Sequence, residues 1–398
     1  MFQPSVHAPD VVHSGAMTVL AAVENCLRVA AGDVEAGTAH VSPWLAGGAA
    51  GAALWYAEAN RRGVLRHGND TERWLEIASE AMSAATPSAG LWEGLAGLAW
   101  IHLHTAAPEA SPVDEADLVD ALIGYMRASR AVDLLGGAAG LLMLAAALRD
   151  ERERARLAAV CIDVLAAARV TDGAICLWPS ADPVTGEEAF DLGVAHGAPG
   201  IIAALATVVS VNLGGLAGRD LYREALEAFV ALLERLCQLP HLPHAFTVHN
   251  RVHRAPPRLG WCYGDLGVSA TLGYVESRLG NPRVALLRSM LNRRLASRRH
   301  DAGIWSGVGL CHGAAGFMLF GGLCIDDIAC DVGVASRVWG EIESAADSDA
   351  LTKAEDGSAE CLVGLLAGPA GIGMAALRTV APLSTDLSWL SLFGAGQC

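Results

Sequence analysis

The sequence predicts an all-α fold, an α/α toroid in which seven pairs of helices surround a central axis. A Gly-x-x-Gly motif followed by small and apolar residues occurs seven times along the chain. Segments with one charged and one aliphatic face alternate with the motif segments, which have no charged face. Two helices per repeat, one facing inward and one facing outward, would satisfy both patterns.

The seven motifs recur at intervals that are long enough for two helices each. Neighbouring first glycines lie between 43 and 67 residues apart. The first glycines are Gly48, Gly94, Gly137, Gly197, Gly264, Gly313 and Gly368. Small residues let neighbouring helix ends approach closely, and glycine tolerates the backbone angles of a turn. We therefore expect each motif to begin an inner helix.

The segments between the motifs are amphipathic, which is typical of helices with one face in solvent. In residues 221–233, for example, apolar side chains recur at helical spacing. The segments expected to form the outer helices are Asp70–Met82, Val113–Met126, Asp150–Ala168, Asp220–Leu236 and Pro282–Arg299.

Two connections are longer than the others and have a different composition. Val170–Leu192 contains Asp-Pro-Val-Thr-Gly between two strand-like runs, and Pro240–Gly260 is rich in Pro and His. Both are expected to form loops or short β excursions over one mouth of the toroid. Since no linker or low-complexity segment separates the repeats, we expect residues 1–398 to form a single domain.

The net charge, the cysteines and the apolar stretches indicate which partners and which cellular compartment to expect. The formal charge of −15 and the lack of a basic patch argue against a nucleic-acid partner. The N-terminus lacks the basic and apolar regions of a signal peptide, so the ten cysteines are expected to be reduced and the protein cytoplasmic. The most apolar stretches, Ala131–Leu148 and Val194–Gly215, contain a charge or several glycines, and we expect buried helices rather than transmembrane segments.

The candidate catalytic and metal-binding side chains stand just before the first glycines of the motifs. Cys262 and Cys311 both stand two positions before their glycine, while His196, Tyr263 and His312 stand one position before theirs. In a toroid, these positions face the same end of the central cavity. A buried structural cysteine would have no reason to occupy the same position in two repeats.

Two thiolates and one imidazole are a ligand set for zinc. Three protein ligands leave the fourth tetrahedral position open, as in catalytic zinc sites. A zinc-bound thiol is deprotonated, so a substrate thiol could become a nucleophile at neutral pH. The residues alone favour thiol addition but leave open a reaction with water.

The motifs together resemble one known family. Trp-Cys-Tyr-Gly at residues 261–264, Cys-His-Gly-x-x-Gly at 311–316, Ala-His-Gly-x-x-Gly at 195–200 and seven repeats are similar to the lanthipeptide (lantibiotic) synthetase cyclases, the LanC family. The resemblance runs from about Ser42 to Leu377. It implies an α/α toroid with one zinc ion per chain. The implied reaction adds a peptide cysteine to dehydroalanine or dehydrobutyrine and closes a thioether ring.

The resemblance also assigns roles to individual residues. Cys262, Cys311 and His312 match the zinc ligands, and His196 matches the active-site histidine, an imidazole suited to acid–base catalysis. Asp133, Arg258 and Tyr263 match further family residues, and Asp133 would orient His196. As alternatives, Arg258 and Asp133 could form a structural ion pair, and Tyr263 could simply pack.

Partners and alternatives follow from the same resemblance. The implied substrate is a dehydrated precursor peptide, with leader and core, and the implied partners are a dehydratase and an exporter in a synthetase complex at the membrane. Tyr263, rather than a histidine, after the first zinc cysteine points to a bacterial cyclase and away from glutathione-binding eukaryotic relatives. Two other functions stay open: addition of glutathione to dehydroamino acids, and a non-catalytic scaffold that binds a peptide.

Overall fold

The computed structural model describes most of the chain, in thirteen stretches with gaps between them. They are residues 8–65, 69–86, 88–106, 113–172, 175–181, 188–247, 252–253, 259–325, 328, 331–347, 351–352, 362–380 and 388–395.

Helices dominate the described part of the chain. The helices are α1 (Ala8–Glu35), α2 (Ala49–Arg61), α3 (Asp70–Met82), α4 (Leu95–Thr105), α5 (Glu115–Ser129), α6 (Ala138–Ala147), α7 (Glu151–Ala168), α8 (Ala198–Ser210), α9 (Gly215–Leu236), α10 (Asp265–Leu279), α11 (Pro282–Arg298), α12 (Ala314–Cys324), α13 (Val332–Asp347) and α14 (Pro369–Val380). The strands are β1 (Val170–Asp172), β2 (Ile175–Leu177), β3 (Pro179–Ala181), β4 (Glu188–Asp191), β5 (Ala245–Thr247) and β6 (Val252–His253). A 3-10 helix follows near the C-terminus (Ser388–Phe393).

The two predicted kinds of helix are present. Seven helices, α2, α4, α6, α8, α10, α12 and α14, begin directly after the first glycine of a motif. They are almost entirely buried, as in α8, where every residue from Ala198 to Val208 is buried. The intervening helices bury only one stripe, as in α11, where Val284, Leu287, Leu291 and Leu295 are the buried positions. This contrast confirms the distinction between motif helices and amphipathic helices.

The chain divides into two compact units. Unit 1 comprises residues 1–86 and 296–386, and unit 2 comprises residues 87–295 and 387–398. In unit 1, α14 packs against both α12 and α2, and α1 packs against α13 and α14. In unit 2, the motif helices pack side by side in the order α4, α6, α8 and α10, and α5, α7 and α9 form the amphipathic layer.

Within unit 2, backbone hydrogen bonds join the turns that precede the motif helices. The N–H of one turn donates to the carbonyl of the residue two positions before the next motif. The bonds run from Trp92 to Leu135 (3.0 Å), from Leu134 to Ala195 (3.2 Å) and from Val194 to Cys262 (2.9 Å). In this unit, residues that stand two positions before a motif glycine accept the same kind of backbone hydrogen bond. The alignment of the motifs in sequence therefore corresponds to equivalent positions in the structure.

Unit 1 contains the same kind of connection. The N–H groups of Leu310 and Cys311 both donate to the carbonyl of Leu366 at 3.0 Å. The N–H of Leu366 in turn donates to the carbonyl of Ala46 at 2.8 Å. Leu366 and Ala46 also stand two positions before their glycines. The same backbone hydrogen bond therefore joins neighbouring turns in both units.

The second glycine of the motif makes room for its own preceding turn. A Cβ atom there would lie within 2.6 Å of the carbonyl oxygen six residues earlier in the chain. The glycine–carbonyl pairs are Gly51 with Leu45, Gly140 with Leu134, Gly200 with Val194, Gly267 with Trp261, Gly316 with Leu310 and Gly371 with Leu365. The motif therefore serves chiefly to pack a turn onto the first coil of its own helix, a closer contact than the expected packing between helix ends.

The two long connections contain the strands, as predicted. β1 and β2 pair antiparallel, and β3, β4, β5 and β6 form an antiparallel sheet in that order. β4 ends at Asp191, immediately before the turn that leads to α8. The sheet thus fixes where the polypeptide enters that turn.

The C-terminal 3-10 helix is a feature that the repeat pattern does not predict. Its Phe393 ring lies 4.7 Å from the ring of Trp92 and 5.1 Å from that of Trp261, measured between ring centroids. The indole N–H of Trp261 donates to the backbone carbonyl of Phe393 at 2.8 Å. All three aromatic side chains are fully buried, so this segment contributes to the core of unit 2.

The apolar stretches around α6 and α8 form short buried helices. α6 has 10 residues and α8 has 13. Within the described helices, none combines the length and the apolar character needed to cross a bilayer.

Candidate functional site

Three consecutive turns of unit 2 carry most of the predicted catalytic residues. Asp133 lies in the turn before α6, His196 in the turn before α8, and Cys262 with Tyr263 in the turn before α10. The hydrogen bonds from Leu134 and Val194 described above join these turns in that order. Residues that are far apart in sequence are thereby held in neighbouring loops.

His196 and Asp133 form a direct pair. The imidazole Nδ1 lies 2.8 Å from Oδ2 of Asp133, and the other carboxylate oxygen of Asp133 accepts the Gly136 N–H at 2.8 Å. The hydrogen bond with Asp133 raises the pKa of His196, although burial opposes this shift. The His196 side chain is 48% exposed, so a ligand can reach it. Among the described residues, this pairing is the observed environment of the Asp133 carboxylate.

Tyr263 has a specific polar partner. Its hydroxyl donates to Oδ2 of Asp191 at 2.7 Å, and its ring stacks on His244 with centroids 4.5 Å apart. Tyr263 is thus held by a hydrogen bond as well as by packing.

Asp191 is a buried acid that the motif register did not select. Besides the Tyr263 hydroxyl, it accepts the N–H of Gly193 at 2.6 Å. Burial raises its pKa to about 6, and these two hydrogen bonds reduce the increase. The sequence carried one signal for it, an acidic residue at the end of a strand-like run just before the turn with His196.

The Cys262 turn enters its helix through an unusual backbone conformation. Gly264, the residue that caps α10, has φ = +102° and ψ = −173°, a region open essentially to glycine alone. The other motif helices with a described cap, α2, α4, α6, α8 and α12, all begin from a glycine with negative φ. On the other side of Cys262, Trp261 anchors the turn in the aromatic core of unit 2.

The Cys311–His312 turn belongs to unit 1. Besides the bond from Cys311 to Leu366, the carbonyl of His312 accepts the N–H of Ser306 at 2.9 Å. Leu310, immediately before the cysteine, is fully buried, while Cys311 and His312 are half-buried. The two potential ligands are therefore accessible on a backbone that is fixed on both sides.

Arg258 lies outside the described residues, so its predicted role stays a prediction. The remaining predicted residues occupy the turns to which the register assigned them.

Comparisons with known proteins identify the family of this chain. A family model described as lanthionine synthetase C-like protein matches residues 41–393. The chain belongs to this family. The lanthionine synthetase C-like match covers all seven glycine motifs and every predicted site residue.

A solved structure shares the fold of this lanthionine synthetase C-like chain. Nisin cyclase is similar with a TM-score of 0.66 and 16% sequence identity, over 93% of this chain and 96% of that chain. This similarity confirms the predicted fold class, an α/α toroid of helix pairs. A search of curated proteins finds no match.

Proposed function

We propose that this protein is a zinc-dependent lanthipeptide cyclase that closes thioether rings in a dehydrated precursor peptide. The observation that carries the proposal is the His196–Asp133 pair, which occupies turns joined by backbone hydrogen bonds to the turn of Cys262. The family match across residues 41–393 and the fold shared with nisin cyclase support it.

Cys262, Cys311 and His312 would hold one zinc ion. Two cysteine thiolates and an imidazole form a set of side chains that could hold a metal ion, and this set suits zinc. All three residues stand in the same short segment before a motif helix, in turns whose backbones are fixed by hydrogen bonds. Bound zinc would supply a substrate thiol in its deprotonated, nucleophilic form.

His196 would act as the general acid or base that transfers the proton during the addition. The addition breaks the S–H bond of the peptide cysteine, joins sulfur to the β-carbon of the dehydro residue, and places a proton on the α-carbon. Because Nδ1 of His196 pairs with Asp133, Nε2 is the ring nitrogen left to accept or return that proton. The raised pKa of His196 increases the fraction of imidazolium at neutral pH, which favours the protonation of the α-carbon.

The substrate implies an enzyme that acts earlier. Dehydroalanine and dehydrobutyrine form when Ser and Thr lose water, so a dehydratase must supply the peptide. We propose that the cyclase works in the cytoplasm beside this dehydratase and an exporter, in a complex that can associate with the membrane. Both compact units would form one functional domain, since the family match begins in unit 1, continues through unit 2 and returns to unit 1.

The test uses a synthetic peptide with one cysteine and one dehydroalanine. Ring closure leaves the mass unchanged, so the readout is loss of the thiol that iodoacetamide can alkylate. The matched control peptide has alanine in place of dehydroalanine and should keep its thiol. A second reaction offers glutathione to a cysteine-free dehydrated peptide. We expect thiol loss only in the first peptide, whereas a glutathione adduct without ring closure, or no reaction, would contradict the proposal.

A further inference from the structure

A groove of about 760 Å³ lies in unit 1, between the end of α1, the segment that leads to α2, and the last turns of α3. Its lining is mainly apolar. The segment before α2 contributes Val41 and the Trp44 indole, while α3 and the turn after it contribute Ile77, Ala81 and Ala84. Ligand sites usually have volumes of roughly 300–1,000 Å³. The Trp44 groove defined by these residues therefore has the size and the lining of a site for apolar side chains.

The wall of the Trp44 groove on the side of α2 is held in place by backbone hydrogen bonds. The carbonyl of Ser42 accepts the N–H of Ala49 at 2.8 Å, and the carbonyl of Trp44 accepts the N–H of Gly48 at 3.0 Å. The Trp44 residue is half-buried, so part of its ring is open to a ligand. Because this wall is already ordered, a ligand that binds there does not have to order it.

The Trp44 groove is connected to the Cys311 turn through neighbouring turns of unit 1. Its wall at residues 42–44 continues into the turn of Ala46, whose carbonyl accepts the N–H of Leu366. The carbonyl of Leu366 in turn accepts the N–H of Cys311. Ala367, in the middle turn, is exposed. A peptide held at Cys311 can therefore lie across this turn and reach the groove.

The path from the Cys311 turn to the Trp44 groove crosses two helix spacings, because α14 packs against both α12 and α2. Packed helices lie about 8–10 Å apart, so the path is at least roughly 16–20 Å long. An extended peptide covers about 3.3 Å per residue and needs about five or six residues for this distance. A peptide side chain closer to the bound cysteine cannot reach the groove.

We propose that the Trp44 groove is a substrate subsite that binds apolar side chains of the precursor peptide, about five or more residues away from the cysteine that closes the ring. This inference rests on the proposed cyclase function and extends its substrate contacts within unit 1. A side chain in the groove is bound equally before and during the reaction. It should therefore lower KM and leave kcat nearly unchanged.

The experiment compares synthetic dehydrated peptides of identical composition that contain one cysteine, one dehydroalanine and one leucine among Gly and Ser. The leucine stands either two or eight residues from the cysteine, and each spacing is made on both sides of it. We expect the distant leucine, on one side at least, to lower KM about tenfold relative to the near leucine, because only it can be buried in the groove. The kcat values should agree within about threefold. Equal KM values for all peptides would overturn the assignment.

Two variants test whether the Trp44 groove causes this preference. Ala84 is exposed, so Ala84→Leu fills the groove without disturbing the core, and Trp44→Ala removes one of its walls. Both variants should lose most of the tenfold preference for the distant leucine. The matched control is Ala21→Leu, since Ala21 is an exposed alanine of α1 that does not line the groove, and it should keep the preference. A preference that survived in either groove variant would overturn the assignment.

A binding measurement separates this inference from the proposed function. Peptides with alanine in place of dehydroalanine keep the cysteine but cannot cyclise, and fluorescence anisotropy of a labelled form gives their Kd. The distant leucine should again bind about tenfold more tightly. If the wild type showed this preference but closed no ring, the proposed function would fail and the subsite would stand. Ring closure without any leucine preference would overturn the subsite alone.

The same variants show whether a second copy of this chain occupies the Trp44 groove instead. Analytical ultracentrifugation of the wild type and of Ala84→Leu gives their oligomeric states. We expect the same state for both proteins. A wild-type dimer that dissociates in Ala84→Leu, together with an unchanged Kd for the distant-leucine peptide, would overturn the assignment to the substrate.

Discussion

The two cysteine turns occupy the same position in their repeats but are supported in different ways. The Cys262 turn in unit 2 is held by side chains, with Trp261 in the aromatic core and Tyr263 bonded to Asp191. The Cys311 turn in unit 1 is held by backbone bonds to Leu366 and Ser306. Their caps also differ, because Gly264 has φ = +102° and Gly313 has φ = −100°.

This difference indicates that the two turns contribute differently to metal binding and to proton transfer. The Cys311 turn offers two adjacent ligand side chains and is joined to a neighbouring turn without acidic side chains at the equivalent positions. The Cys262 turn offers one ligand and is joined to the turn of His196, which pairs with Asp133. Metal binding would therefore draw on both turns, whereas proton transfer would depend on unit 2.

The largest expected effect comes from removing the imidazole of unit 2. His196→Ala should lower kcat about 100- to 10,000-fold, the usual range for a general acid or base. Zinc content should be unchanged, because His196 is not among the proposed ligands. The matched control is His300→Ala. The His300 imidazole lies in unit 1, 3.3 Å from Asp331, and the variant that lacks it should cyclise the peptide at the wild-type rate. Equal losses in both variants would contradict the division of labour.

Removing the aromatic anchor should weaken one cysteine turn selectively. Phe393→Ala leaves a cavity beside Trp92 and Trp261 and should reduce the free energy of unfolding by about 3–5 kcal/mol. Hydrogen exchange should rise more in residues 259–264 than in residues 307–313.

The reciprocal control for this anchor is Phe317→Ala in unit 1. Its ring contacts Trp305, with centroids 5.0 Å apart, close to the Cys311 turn. This variant should reverse the order of the two exchange rates. If both variants loosened both segments equally, the two turns would not be supported independently.

The pH dependence of stability should reveal the buried acid of unit 2. In the unfolded chain an aspartate has a pKa of about 3.9, whereas burial raises the pKa of Asp191 to about 6 in the fold. Between these values the folded state binds more protons, so this group lowers stability as pH rises from about 4 to about 6. Its titratable neighbours are Asp133, His196 and Tyr263.

Asp191→Asn removes that pH dependence. Relative to the wild type, the free energy of unfolding of the variant should increase by about 2 kcal/mol between pH 4 and pH 7. Urea unfolding at several pH values measures this difference. A constant difference across the range would show that Asp191 titrates normally.

The smallest expected effect comes from the cap of α10. Gly264→Ala places a side chain at a strained backbone angle and should cost about 1–3 kcal/mol in urea unfolding, with partial loss of zinc. Gly280→Ala is the matched control, since Gly280 has φ = +63° at the other end of α10 and open space around its Cβ position. It should lose stability but keep its zinc. Equal zinc retention in both variants would count against a role for the Gly264 conformation in the site.

Most of the fold was predictable from the sequence because it repeats. In six of the seven motifs the second glycine is required by a carbonyl six residues earlier, as at Gly140 and Gly200, so the same motif had to recur along the chain. Five of the amphipathic helices were predictable from their periodicity, and α3 has the predicted bounds, Asp70–Met82, whereas α1 and α13 were not predicted.

The parts that were missed depend on contacts between distant segments. Asp191 stands outside the repeat register, and its role follows from a hydrogen bond to Tyr263, 72 positions later in the chain. Likewise, the position of Phe393 against Trp92 and Trp261 carries no periodic signal. Neither pairing could be inferred from residue type and spacing alone.

The most direct test of the central claim, that both cysteine turns contribute to one zinc site, is the zinc content of purified variants. Cys262→Ala and Cys311→Ala should each lose the metal, whereas the wild type should contain about one zinc per chain. Cys237→Ala in unit 2 and Cys26→Ala in unit 1 are the matched controls and should retain it. A full zinc complement in either Cys262→Ala or Cys311→Ala, with the controls intact, would contradict the account.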